Sequence, residues 1–163
     1  MKEILLTKGY VAIVSDEDYD RVAKYKWHCI TAGRKGSKRH YAVRKVRDEN
    51  GKQHNQYMHR FILEVTERSV DVDHRNGDTL NNTRENLRAC TRSQNAMNRY
   101  HRVVNKTGFR GVMYVRSIDK YRASITAQGK HYYIGVFPTA AEAGAAYTSK
   151  AKELFGEFHR GEK

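Results

Sequence analysis

The chain has 163 residues, 39% of them hydrophobic and 30% charged, with a single proline. That length suits one ordinary domain or two to three small modules, with a modest core and no long disordered segment. The formal net charge of +13 points to a polyanionic partner. No stretch approaches the roughly 18 apolar residues of a membrane-spanning helix. The N-terminus, "MKEILLTKGYVAIVSDEDYD", has no signal-peptide core. A soluble intracellular protein is expected. Cys29 and Cys90 form no C-x-x-C pair, which excludes a disulfide framework and argues against structural zinc; both read as small buried residues.

The charge is not a tail. Residues 1–70 carry 15 basic and 9 acidic residues, residues 71–104 carry 6 and 4, and residues 105–163 carry 10 and 5. Excess charge at both ends of a folded chain fits nucleic acid contacted along an extended path. No amphipathic helix of the membrane-surface kind competes with that expectation.

Residues 1–54 read as a β-rich basic region. "GYVAIVS" alternates and is β-branched, and "DEDYDRVAKYKWH" forms a short helix or turn around Tyr19, Val22 and Trp27. "RHYAVRKVRDENGKQHNQYMHRFIL" reads as a hairpin that turns at Asp48-Glu49-Asn50-Gly51 and continues as strand. Nine Lys and Arg between Lys24 and Arg47 crowd this region, with Gly33 and Gly36 marking a basic loop.

Residues 70–104 change character. Asn, Asp and Arg dominate and apolar residues thin out, so the loop needs polar ties or a bound ion. "VDVDHRNGDTLNN" ends an alternating run on Asp73-His74 and turns at Asn76-Gly77. Thr91 with Gln94 three residues on is a capping-box signature, and a helix is expected over about 92–103.

"NKTG" (105–108) reads as a linker. Beyond it, "FRGVMYVRS", "KYRASITAQ" and "KHYYIGVF" read as three short strands, with turns at Asp119 and Gln128-Gly129. "TAAEAGAAYTSKAKELFG" is a helix capped by Thr139 and ended by Gly156. Parity puts Tyr121, Ala123, Ile125, Tyr132 and Ile134 toward that helix. Arg122, Ser124, Thr126, His131 and Tyr133 then line the open face.

The middle segment supplies what phosphodiester hydrolysis needs. A base must activate water, and a hard cation with oxygen ligands must neutralise the phosphate. Asp73 offers a carboxylate, His74 an imidazole on the other face of the strand, and Asn95 an amide oxygen one turn into the capped helix. Asn86 lies between and could tie the loop to the His74 backbone or ring. Arg88, Arg92 and Arg99 flank the set as phosphate clamps, with solvated surface the alternative. His59 reads as structural.

With Asn86 twelve residues after His74 and Asn95 nine after that, "VDVDHRNGDTLNNTRENLRACTRSQNAMNR" resembles the HNH nucleases of the ββα-metal fold, in the branch whose third motif residue is Asn. "YMHRFIL" looks like the strand that precedes the motif there. The resemblance implies a strand–Ω-loop–strand–helix site. His74 is its general base, Asp73 and Asn95 hold one divalent metal ion, Mg²⁺ or else Mn²⁺, and Asn86 is the orienting middle residue. It further implies a homing or phage-type endonuclease in bacterial cytoplasm, acting on double-stranded DNA as a monomer or weak dimer. One metal site per chain favours nicking.

"FRGV", "YIGVF", "TAAEAGAAY" and "FGEF" resemble the AP2 DNA-binding domain over about residues 107–158. That resemblance implies a sheet face laid in the DNA groove, with Arg110, Arg116, Arg122, Lys130 and Tyr133 as contact residues. Met113, Ser124 and Thr126 depart from the plant pattern, so the plant target sequence does not carry over. The expected fold is α+β. A β-rich region (1–54) precedes a ββα-metal HNH core (55–104). A linker (105–108) and a three-stranded antiparallel sheet plus helix of AP2 type (109–163) follow. A non-cleaving DNA-binding regulator and an RNA-binding or RNA-cleaving protein are the competing expectations.

Overall fold

Alternating β-branched residues build the first sheet. β1 (Lys2–Leu5) pairs antiparallel with β2 (Val11–Val14), which buries Ile4, Ala12 and Val14. Three acidic residues open α1 (Asp16–Ala23), where they complement the positive helix end. Val22 on this helix is fully buried beside Trp27, whose indole N–H donates to the Val22 carbonyl at 2.9 Å. Tyr19 is only half-buried at the margin of this core. The computed structural model describes residues 1–33, 38–98 and 105–159. They form two compact units, Met1–Asn95 and Ala96–Lys163.

The second sheet of the first unit is antiparallel, in the order β3 (His28–Ala32), β4 (Arg39–Arg47), β5 (Gln53–Tyr57). Its second turn follows the expected residues. Asp48 Oδ1 accepts from the backbone N–H groups of Asn50 and Lys52 at 3.0 and 2.9 Å, and Gly51 has φ of +75°. The strand expected to run on through "YMHRFIL" stops at Tyr57. Met58–Ile62 is instead a short helix, α2. Met58 and Ile62 are both fully buried, and four-residue spacing puts them on one helical face.

β6 (Asp71–His74) and β8 (Leu87–Cys90) form an antiparallel ribbon, followed by α3 (Arg92–Met97). The helix starts where the cap signature placed it; the expected extension over 99–103 lies outside the described residues. Between the ribbon strands, β7 (Asn81–Asn82) adds a parallel pairing to β2, Ile13 opposite Asn81 and Val14 opposite Asn82. One core runs from Ile4 and Val14 through Trp27 and Met58 to Val72 and Leu87. The boundary drawn between residues 54 and 55 therefore falls inside β5, and the β-rich segment shares a core with the ribbon.

The second unit has an antiparallel sheet of β9 (Val112–Val115), β10 (Lys120–Ala127) and β11 (Lys130–Phe137), with helix α4 (Ala140–Phe155) against it. Asp119 and Gln128 take positive φ at the two turns. Thr139 Oγ1 caps α4 by accepting from the Glu142 N–H at 3.2 Å. Ala123 and Ile125 are buried, Tyr121, Tyr132 and Ile134 half-buried, and Arg122, Thr126, His131 and Tyr133 exposed. Gly144 on α4 gives the Phe109 ring its seat; a Cβ there would overlap the ring. No helix among the described residues is long and apolar enough to cross a membrane.

Candidate functional site

The ribbon register separates the two central side chains. Asp73 pairs with Arg88 and His74 with Leu87, so Asp73 shares a face with Asp71 and Arg88 while His74 shares the other with Val72 and Leu87. After His74 the chain turns at once. The Gly77 N–H donates to the His74 carbonyl at 2.8 Å, and Gly77 takes φ of +73°, a conformation open to glycine.

The apolar-poor loop that follows is held by side-chain amides and carboxylates. Asn76 Oδ1 accepts from Asp78 N–H, Asp78 Oδ1 from Leu80 N–H, and Asn81 Oδ1 from Thr83 N–H, at 2.8, 3.0 and 3.2 Å. Asn86 closes it. Its Oδ1 accepts from Asn76 N–H at 3.0 Å and its Nδ2 donates to the Asn81 carbonyl at 2.7 Å. Asn86 thus spends its amide on the loop backbone. The alternative in which it reached the His74 ring is corrected: the amide at that ring is Asn82.

His74 is buried, at 5% exposure. Asn82 Nδ2 is committed to the Leu80 carbonyl at 3.0 Å, which turns Oδ1 toward His74 Nε2 at a long 3.5 Å. An oxygen acceptor there favours the Nε2–H tautomer and puts the basic lone pair on Nδ1. The edge of a second imidazole, His59, meets the His74 ring at 5.1 Å between centroids and 80° between planes. Burial pushes the His74 pKa down, against the opposing pull of the Asn82 contact and of Asp73 and Asp78. Burial, with the charges of His74 and Arg60, pushes His59 down to about 3. Both rings are neutral at physiological pH, the form a general base requires.

Asp73 is buried and ion-paired. Arg88 Nε and Nη2 both donate to its Oδ2, at 2.9 and 2.6 Å. Arg88, expected as a phosphate clamp at the surface, is 7% exposed and faces inward; its strand parity matches that of Asp73. Asn95 reaches the same face of the ribbon. Its Nδ2 donates to Asp71 Oδ2 at 3.1 Å, which turns its Oδ1 away from Asp71. The capping box that starts the helix is reciprocal: Gln94 N–H donates to Thr91 Oγ1 at 3.2 Å and Thr91 N–H to Gln94 Oε1 at 2.9 Å. The oxygen-bearing side chains here are the Asp71 and Asp73 carboxylates, the latter paired with Arg88, and the Asn95 amide. All are hard oxygen donors, as Mg²⁺ or Mn²⁺ would use with water completing the shell. Among the described residues no cluster of three His, Cys, Asp or Glu offers a closed metal cage.

The loop is also pinned from behind. Asp18 on α1 is 1% exposed and accepts from Arg84 Nε and Nη2 at 2.8 and 3.0 Å and from Arg21 Nη2 at 2.7 Å. Burial alone would raise the Asp18 pKa, but the Arg84 and Arg21 donors together hold it below the ordinary 3.8. The Arg84 N–H donates to Ser15 Oγ at 2.9 Å.

The remaining candidates scatter. Arg92 is exposed at the start of α3, and Arg99 lies outside the described residues. In the second unit, exposed Arg122 stands between Met113 and Val136 on the open sheet face, and Tyr133 shares that face at 61% exposure. Arg116 is exposed in a one-turn helix beside β9. Lys130 does not join that face. It has the parity of Tyr132, and its ammonium lies 5.3 Å from the Tyr132 ring centroid. Arg110 is half-buried, 6.0 Å from the ring centroid of Tyr147 on α4.

Four residues that matter here were not singled out in the sequence. Asp71 carried a signal, because "DVD" places it on the Asp73 face two residues away. Asn82 sat unremarked in an Asn-rich run. Asp18 and Arg84 are 66 residues apart, and no local pattern links them.

The comparisons with known proteins fall on this geometry. A protein-family model described as HNH endonuclease matches residues 57–97, which contain Asp73, His74, Asn86 and Asn95. A protein of Acanthamoeba polyphaga mimivirus named as an uncharacterized HNH endonuclease is 35% identical over 156 residues, covering 93% of this chain and 74% of the viral protein. Protein 3.8 of Escherichia phage T7 is 27% identical over 89 residues, 55% of this chain and 73% of the phage protein. No solved structure matches. The family model ends at residue 97, but the mimivirus alignment is too long to stop there and extends into the second unit. With identity running over nearly the whole chain, and the family model centred on the ribbon, loop and helix that carry the candidate residues, this chain belongs to the HNH endonuclease family.

Proposed function

We propose that this chain hydrolyses phosphodiester bonds in double-stranded DNA with one divalent metal ion, Mg²⁺ or Mn²⁺, and nicks one strand per site as a monomer or weak dimer. The observation that carries the reading is the Asn95–Asp71 hydrogen bond. It ties Asn95 on helix α3 to the strand that carries Asp73 and His74, which brings an amide to the carboxylate face of that strand from an element far away in sequence, with His74 on the opposite face. When bound, the cation would neutralise the scissile phosphate and the departing oxygen. Asp73 and Asn95 are the residues that would hold it. His74, kept neutral by burial, takes the proton of the attacking water on Nδ1. Asn82 orients the ring through Nε2, and Asn86 fixes the loop that carries Asn82.

The second unit is proposed as an AP2-like module that adds DNA affinity. Arg122 and Tyr133 on its open face, with Arg116 nearby, are the groups to contact the duplex. Homing, phage-encoded and host-directed roles all accommodate this chemistry.

A supercoiled-plasmid assay tests the reading. Conversion to the open circle with Mg²⁺ or Mn²⁺, its loss with EDTA, and its absence in His74→Ala are the expected results. A non-cleaving DNA-binding regulator is the second reading. The Arg88–Asp73 ion pair favours it, because it neutralises the carboxylate that the cation needs. Intact plasmid under both metals, with duplex binding retained, would establish that reading instead.

A further inference from the structure

A cleft of 660 Å³ opens in the first unit, walled by β5, α2, the segment after α2 and the start of α3. Its cationic residues are Arg60, Arg68 and Arg92, with His54 and Tyr57 beside them, and among the described residues no acidic side chain lines it. Arg68 and Arg92 are exposed, and neither makes an ion pair with a described residue. Arg60 is built in. Its Nη1 donates to the Val70 carbonyl at 2.6 Å and its Nη2 to the Glu67 carbonyl at 2.5 Å. A guanidinium has five N–H donors, so this one is held rigidly with donors to spare.

Two of the cleft's arginines are tied along the chain to the candidate site. Val70, gripped by Arg60, directly precedes β6, the strand of Asp71 and Asp73. Arg92 stands three residues before Asn95 on α3, on the adjoining helical face. A concave cationic cleft with Arg92 of α3 in its wall, and with Arg60 gripping the residue that precedes β6, fits a polyanionic strand better than a single small anion. Tyr57 adds an aromatic surface of the kind that sugars and bases pack on.

We propose that this cleft seats the sugar–phosphate backbone of duplex DNA next to the scissile phosphate, with Arg60, Arg68 and Arg92 on successive phosphates. The assignment rests on the nuclease reading above for the position of the scissile bond. It makes the cleft a sequence-independent positioning track: it sets where the strand lies, not which bases are read.

The test measures duplex binding by the full chain, with EDTA present to prevent cleavage, across a salt series. Each lost phosphate contact should lower the slope of log affinity against log salt by about 0.9. Arg68→Ala and Arg92→Ala are therefore expected to flatten it by that amount each, and the double variant by about twice as much, with the same loss on unrelated duplex sequences. Both residues are at the surface, and circular dichroism verifies that the variants stay folded. An unchanged slope in the folded double variant would overturn the proposal, as would a loss confined to one DNA sequence. Equal competition by single-stranded RNA would overturn the duplex assignment. A wild-type chain that binds but never nicks refutes the nuclease reading alone. A nicking wild type whose double variant keeps the full salt slope refutes the cleft alone.

Discussion

Arg88 closes over Asp73 with two hydrogen bonds to a single carboxylate oxygen, and both side chains are buried. The same carboxylate is the strongest candidate to hold a cation, so pairing and metal binding compete. Removing one partner of a buried ion pair leaves an uncompensated charge at a cost of about 3–5 kcal/mol. Arg88→Ala should lose stability on that scale without metal. Mg²⁺ should then restore part of it, giving a larger metal-dependent rise in melting temperature than in the wild type. Equal metal shifts in the two proteins would separate Asp73 from the metal.

His74→Ala should reduce nicking by about 10² to 10⁴, the usual contribution of a positioned general base. Asn82→Ala should cost less, because it removes the group that orients the ring but leaves the base. Single-turnover rates on a nicked-site duplex give both numbers, and Asn82→Ala falling as far as His74→Ala would refute that ranking.

His59 couples stability to pH. Its proton leaves near the ordinary pKa of 6.5 in the unfolded chain and at about 3 in the folded one, so the unfolded chain takes up the proton first as pH falls. Its contribution to stability is complete above pH 6.5. It declines as pH drops toward 3, by at most about 1.4 kcal/mol per pH unit. His74, shifted the same way, adds to the decline. His59→Phe should flatten the pH dependence of urea unfolding between pH 6.5 and 4 while keeping the ring contact; an unchanged slope would sink the assignment.

The Asp18–Arg84 pair predicts a remote effect. Asp18→Ala should destabilise the first unit by about 1–3 kcal/mol, since its Arg84 and Arg21 partners are partly solvent-exposed. It should also speed hydrogen exchange at the amides of residues 78–86, while those of β10 and β11 stay at wild-type rates. Uniform loss of protection in both units would contradict a local pin.

Gly144→Ala tests packing in the second unit. A Cβ at this position overlaps the Phe109 ring, so about 1–3 kcal/mol of stability should be lost despite the better helix propensity of alanine. Phe109→Leu in the same chain should recover part of it, as read by thermal unfolding.

Local signals made part of this legible in sequence. Thr91 and Gln94 marked the start of α3, Asn76-Gly77 the turn after His74, and strand parity the two faces of the second unit's sheet. What failed was decided by burial. "YMHRFIL" satisfies both strand and helix patterns, and only the joint burial of Met58 and Ile62 selects the helix. Arg88 reads as surface by type, yet its register opposite Asp73 draws it inside. Lys130 has the parity of Tyr132, a placement that its charge alone does not report. Pairings such as Asp18–Arg84 join distant segments, and no spacing rule reports them.

The two-residue pairing of β7 with β2 joins positions 68 apart, Ile13 with Asn81. Contacts of such long range pay their loop-closure entropy before any reward. The loop that carries Asn82 and Asn86 therefore leans on a strand that lies far ahead of it in the chain. A fragment beginning at residue 57, where the family model begins, would hold every candidate catalytic residue and lack the template for their loop.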